Sequence, residues 1–103
     1  MTVQHISVSD LLPYGERNAV SRLALADATG LPERIVRLRI NKLRLSGAPI
    51  LSGNAGYWLS DNPHEVAAFA RSMYHRAREV ARVAEAMRRT ADKLRGQETI
   101  AGW

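Results

Sequence analysis

The chain of 103 residues contains no cysteine. That excludes a disulfide frame, a thiolate metal site and a cysteine nucleophile. No apolar run approaches the ~20 residues needed to cross a bilayer, so no membrane partner is expected. The N-terminus has no basic stretch leading into an apolar core, which argues against a secretory leader and for a cytoplasmic location. The three histidines, His5, His64 and His75, have no metal-ligand spacing and no clustered carboxylates around them. No Ser-His-Asp arrangement, glycine-rich phosphate loop or paired catalytic carboxylate is recognisable, so neither an enzyme nor a cofactor is expected. Lysine is scarce too: two against thirteen arginines, which with abundant alanine suggests a GC-rich genome.

What is present is positive charge and apolar patterning. Fifteen Lys+Arg against ten Asp+Glu give a net charge of +5. Hydrophobic residues make up 46%, ordinary for a globular chain and against disorder. A small protein this basic often meets a polyanion. The densest cluster lies within residues 34–44, where Arg34, Arg37, Arg39, Lys42 and Arg44 occur without an acid among them.

Punctuation divides residues 1–62 into short elements. Ser7 with Asp10 forms a capping-box pattern opening a short helix that Pro13-Tyr14-Gly15 closes. Asn18-Ala19-Val20 reads as a small strand. Ser21 caps a second helix, ended by Gly30, in which Leu23, Ala24 and Ala28 can share a face. Leu31-Pro32-Glu33 starts a third, with proline and an acid where the positive helix end favours both, and Gly47 stops it. Pro49–Ser52 and Gly56–Ser60 flank Gly53-Asn54-Ala55, the pattern of a β-hairpin. Tyr57 and Leu59 alternate with Trp58, so the former pair is expected in the core and Trp58 outward or toward the last helix, in a packing role.

On the helix opened by Pro32, Val36, Ile40 and Leu43 fall in one narrow arc at 100° per residue, the core face. Arg34, Arg37, Leu38, Asn41 and Lys42 fall opposite. Arginine pairs bidentately with guanine and asparagine with adenine, so Arg34, Arg37 and Asn41 suit major-groove base edges. Lys42 and Arg44 are better placed for phosphates, which fix register without reading sequence. The plain alternative is a solvated helix face.

Asn62-Pro63-His64-Glu65 is a strong helix start, and no Gly or Pro follows until Gly96. A helix of about 33 residues is roughly 50 Å long, whereas a 62-residue globule is roughly 27 Å across. Half the helix therefore needs another partner. Val66, Ala70, Met73, Ala77, Val80, Ala84, Met87, Ala91 and Leu94 alternate by four and three residues, an unbroken heptad seam. It predicts a homodimer. The flanks lack the Glu–Lys complementarity that enforces a parallel pair, which favours an antiparallel one. The alternative is a surface helix folded back on its own domain. The predicted boundaries are a first domain at 1–61, a dimerisation helix at 62–95 and a flexible tail at 96–103.

Residues 5–60 resemble the winged helix-turn-helix family, in particular small bacterial and prophage-encoded regulators and replication proteins. The resemblance rests on Gly30-Leu31, Arg34, Val36-Arg37, Ile40, Leu43-Arg44, Gly47, Pro49-Ile50 and Gly56-Tyr57. It covers a little over half of the chain and implies a mainly α fold with a small β-hairpin as the wing. It further implies that the helix opened by Pro32 enters the major groove and the wing lies along the backbone or in the minor groove. On that view double-stranded DNA is the partner, in a bacterial cell or phage-infected host. Arg34, Arg37 and Asn41 would then read bases, with Leu38 toward a thymine methyl. Ser21, Arg22, Lys42, Arg44 and Asn54 would hold the backbone. One departure stands: the tip, Ser52-Gly53-Asn54-Ala55-Gly56, has none of the Arg or Lys common on DNA-reading wings. Ile35, Leu38 and Leu45, on or near the outward face, leave open a protein-docking adaptor or replication component.

Overall fold

Five regular elements follow two short 3-10 turns, Val8–Leu11 and Glu16–Asn18. They are α1 (Arg22–Thr29), α2 (Glu33–Leu45), β1 (Ile50–Gly53), β2 (Gly56–Leu59) and α3 (Pro63–Ala101). The computed structural model describes residues 6–101, with side chains as far as Gln97. The chain is mainly helical with one two-stranded antiparallel sheet, and it divides into two compact units between Ala67 and Ala68.

The first unit is built around α2. Val36 and Ile40 are fully buried on one side of it, and Leu43 packs beside them. Against that face lie Val8 from the first turn and Leu12 just after it, Leu25 and Ala26 from α1, and Ile50 from β1. The N-terminal segment is tighter than expected. Asp10 accepts from the Ser7 N–H at 3.3 Å, as the capping pattern predicts, but the segment closes as a single 3-10 turn.

The face that α1 turns to the core is set by its neighbours. Leu23, Ala24 and Ala28 are exposed, whereas Leu25 and Ala26 are buried. Five of its eight residues are apolar, so periodicity does not single out a face, and contact with α2 decides. Ser21 Oγ accepts the Ala24 N–H at 3.0 Å, and Gly30, left-handed at φ +72°, sends its N–H to the Ala26 carbonyl.

The expected strand at Asn18-Ala19-Val20 reduces to one residue. Asn18 ends the second turn, and Val20 exchanges both backbone hydrogen bonds with Tyr57, at 2.9 and 2.8 Å. Pro13 and Gly15 likewise bond Leu59. The approach at Gly56, φ +125°, is so close that a Cβ there would run into the Val20 carbonyl. Glycine is therefore required at this position.

The hairpin pairs Ile50 with Leu59, Leu51 with Trp58 and Ser52 with Tyr57. Tyr57 and Leu59 join the core as expected, together with Ile50. Leu51 and Trp58 are on the other face and are also buried. Trp58 does point to the last helix: Nε1–H donates to Glu65 Oε1 at 3.1 Å, while Glu65 Oε2 accepts from the buried Ser60 hydroxyl at 2.9 Å. Glu65, three residues past the cap, thus ties the first turn of α3 to the hairpin. Asn62 Oδ1 caps that turn through the His64 N–H at 2.9 Å.

The second unit is the remainder of α3. The tail expected at 96–103 is corrected here, because the helix passes through Gly96 and continues to Ala101. A lone glycine costs a helix only about 1 kcal/mol relative to alanine, and without a proline behind it the hydrogen-bond ladder continues. Gly102 and Trp103 lie outside the described residues, as does His5. Among the described residues no helix is long and apolar enough to cross a membrane.

Candidate nucleic-acid interface

The candidate interface lies on the side of α2 that the core leaves free. With Val36 and Ile40 anchored inward, Arg34, Leu38, Asn41 and Leu45 recur at four- and three-residue steps along the outward ridge. Arg37 and Lys42 flank it. All six are exposed, Leu38 at 55% and Leu45 at 90%. The three cations and the asparagine expected to face a duplex therefore share one accessible surface. Among the described residues no acid is within ion-pairing distance of Arg34, Arg37 or Lys42.

Three of the expected backbone contacts come together elsewhere. Ser21, Arg22 and Asn54 line a shallow hollow of about 350 Å³ between the start of α1 and the hairpin, with Ser52 and Tyr57. Ser21 caps α1 and still has its hydroxyl proton to donate. Arg22 Nε donates to Glu33 Oε1 at 3.0 Å, bridging α1 to the first turn of α2. Glu33 is the main reason the Arg22 pKa lies above its ordinary value. Arg22 thus offers a guanidinium shared with an acid. Asn54 is exposed at the hairpin turn.

Arg44 is a correction. Expected to hold phosphates, it turns inward instead. Nε donates to the Ile50 carbonyl at 2.8 Å, Nη2 to Ser52 Oγ at 3.2 Å, and the guanidinium carbon lies 5.9 Å from the Tyr57 ring centre. Half-burial lowers its pKa. On α2 it falls on the shoulder between the core arc and the outward face, within reach of β1, so it clamps the hairpin to the helix. Sequence reasoning also passed over Arg39, which lines a second hollow of about 430 Å³ with Lys42, Ser7 and Ser9. Its place in the acid-free run 34–44 was the available signal.

The seam residues of α3 are regularly disposed and uncovered. Val66 is half-buried, whereas Ala70 and every later seam position to Leu94 are exposed. Met73, Val80, Val83, Met87 and Leu94 are large apolar side chains left open to solvent. Among the described residues no three His, Asp or Glu side chains stand close enough to share a metal ion. The chain matches no protein-family model, no curated protein and no solved structure.

Proposed function

We propose that residues 5–60 form a winged helix-turn-helix domain. The chain is then a homodimeric, sequence-specific double-stranded DNA-binding protein, a small transcriptional regulator of phage or bacterial type. The observation that carries this reading is the outward face of α2, where Arg34, Arg37, Asn41 and Lys42 are exposed together and, among the described residues, no acid is paired to them. An uncompensated cationic ridge on a helix anchored by its opposite face suits a major groove, which admits one helix. Arg34, Arg37 and Asn41 read base edges, and Leu38 meets a thymine methyl. Lys42 holds phosphates from α2, and Ser21, Arg22 and Asn54 hold them from the hollow beside the hairpin. Two domains joined through α3 read a repeated site of fixed spacing.

Selection of bound fragments from random duplex DNA tests this reading. A recurring pair of half-sites at constant separation is expected, and enrichment of no sequence would overturn it. A second reading has one specific observation in its favour: Leu38 and Leu45 stand exposed on the same ridge, which suits a protein partner in a replication or phage assembly. Salt separates the two. A steep loss of duplex affinity with added salt marks phosphate contact, and no duplex binding at low salt marks the adaptor.

A further inference from the structure

We infer that the exposed seam of α3 pairs with a second copy of this chain in antiparallel orientation, centred at residue 82. This rests on the homodimer of the proposed function and adds its direction and register. Direction follows from side-chain size. One seam position is alanine at each occurrence (70, 77, 84, 91), and the other is Val, Met or Leu. A parallel pair would stack alanine on alanine and then Met on Met or Val on Val. Layers of such unequal width cannot all close at one helix separation, and the narrow ones would be left as cavities. An antiparallel pair sets every alanine against a large side chain, so all layers have similar width.

Register follows from where the free seam begins and ends. Val66 is half-buried within the first unit, so the available stripe starts at Ala70. It stops at Leu94, because the next seam position is Glu98. Using the whole stripe places Ala70 on Leu94 of the second copy, Ala77 on Met87, Ala84 on Val80 and Ala91 on Met73. The flanks then fit without further adjustment. Val83 meets Val83 and Ala81 meets Ala81 across the two-fold axis. Arg76 faces Thr90, and Arg88 faces the exposed Tyr74 ring, a favourable cation–π partner. No cation opposes a cation in these layers, and Arg88 is already held on its own helix by Glu85 and Asp92 at 2.7 and 2.9 Å. This also accounts for Val83, an exposed apolar residue outside the heptad seam. The two Ala70 residues stand about 36 Å apart along the pair axis at 1.5 Å per residue.

The absence of native cysteine makes the test direct. In the full-length chain without DNA, Val83→Cys alone is expected to give a disulfide dimer on mild oxidation. Ala91→Cys alone is expected to stay reduced, and an equimolar mixture of Ala91→Cys and Met73→Cys to cross-link as a heterodimer. Sedimentation of the unsubstituted chain should show a dimer, and circular dichroism should show each variant as helical as its parent. Cross-linking of Ala91→Cys alone would establish a parallel pair and overturn the inference while leaving the homodimer intact. A dimeric parent whose Val83→Cys variant fails to cross-link would overturn the register. A monomeric parent would overturn both this inference and the homodimer.

Discussion

The arginines of α2 and those of α3 have the same chemistry in opposite circumstances. On α3, Arg82 binds Glu79, Arg88 binds Glu85 and Asp92, Arg89 approaches Glu85, and Arg95 binds Asp92, all three or four residues apart. Those pairs support a long exposed helix and offset part of its positive charge. On α2, among the described residues, no acid is ion-paired with Arg34, Arg37 or Lys42. Residues 1–62 carry seven basic and five acidic side chains, and residues 63–103 carry eight and five. The two parts are thus almost equally basic. Bulk charge therefore says little about which part meets a polyanion; the placement of the acids says more.

The two units also differ in what holds them. The first has a core, and its largest expected loss comes from opening that core. Leu25→Ala, at a fully buried site, should remove roughly 3 kcal/mol, read as an earlier denaturation transition. Helix pairing through α3, followed by Val83→Cys cross-linking, should persist; simultaneous loss of both would show that the two units fold as one.

Arg37→Ala should cost on the order of 1–3 kcal/mol of duplex affinity and relax specificity locally, measured by fluorescence anisotropy on cognate and altered sites. Arg82→Ala, which removes an α3 cation already paired with Glu79, should leave that affinity unchanged. Equal losses from the two substitutions would erase the contrast between the helices.

Within α2 itself, Arg44 and Lys42 divide the same way. Arg44→Ala should lower stability by about 1 kcal/mol through its lost bonds to β1 and leave the salt dependence of binding unaltered. Lys42→Ala should spare stability, weaken all sequences alike and reduce the salt slope by about one. Thermal melts and salt titrations of the two variants distinguish a clamp from a phosphate contact.

The smallest effect lies on α3. Arg88 holds the Glu85 carboxyl below its ordinary pKa. A carboxylate depressed in the folded state contributes stability above its unfolded pKa and loses it as pH falls through the folded value. Acidification through and below the ordinary glutamate range should therefore cause a slight loss of helicity in α3, and Glu85→Gln should abolish that part of the pH dependence. Circular dichroism against pH is the measurement.

Much of this molecule is legible in the residues. Strong local signals marked α2, the hairpin and the start of α3: Pro32 with Glu33, glycines about a short turn, and Asn62-Pro63 with Glu65. The core arc of α2 was legible because Val36, Ile40 and Leu43 fall within one narrow arc, although Ile35, Leu38 and Leu45 are apolar too. α1 was not, since apolar residues surround it. Val20 read as part of a strand, yet it is bridged to Tyr57, a residue 37 positions later that no local pattern indicates. Gly96 read as a terminator, although glycine ends a helix only when the chain beyond it has somewhere else to go.

For the candidate interface the division is similar. Periodicity alone placed Arg34, Arg37, Leu38, Asn41 and Lys42 opposite the core, because angular position on a helix is a property of spacing. The fate of Arg44 and Arg22 was decided by tertiary structure, since each takes partners from another element: Ile50 and Ser52 for the first, Glu33 for the second. A side chain on the shoulder of a helix turns toward whichever neighbour the fold supplies, and spacing along one helix contains no information about that neighbour.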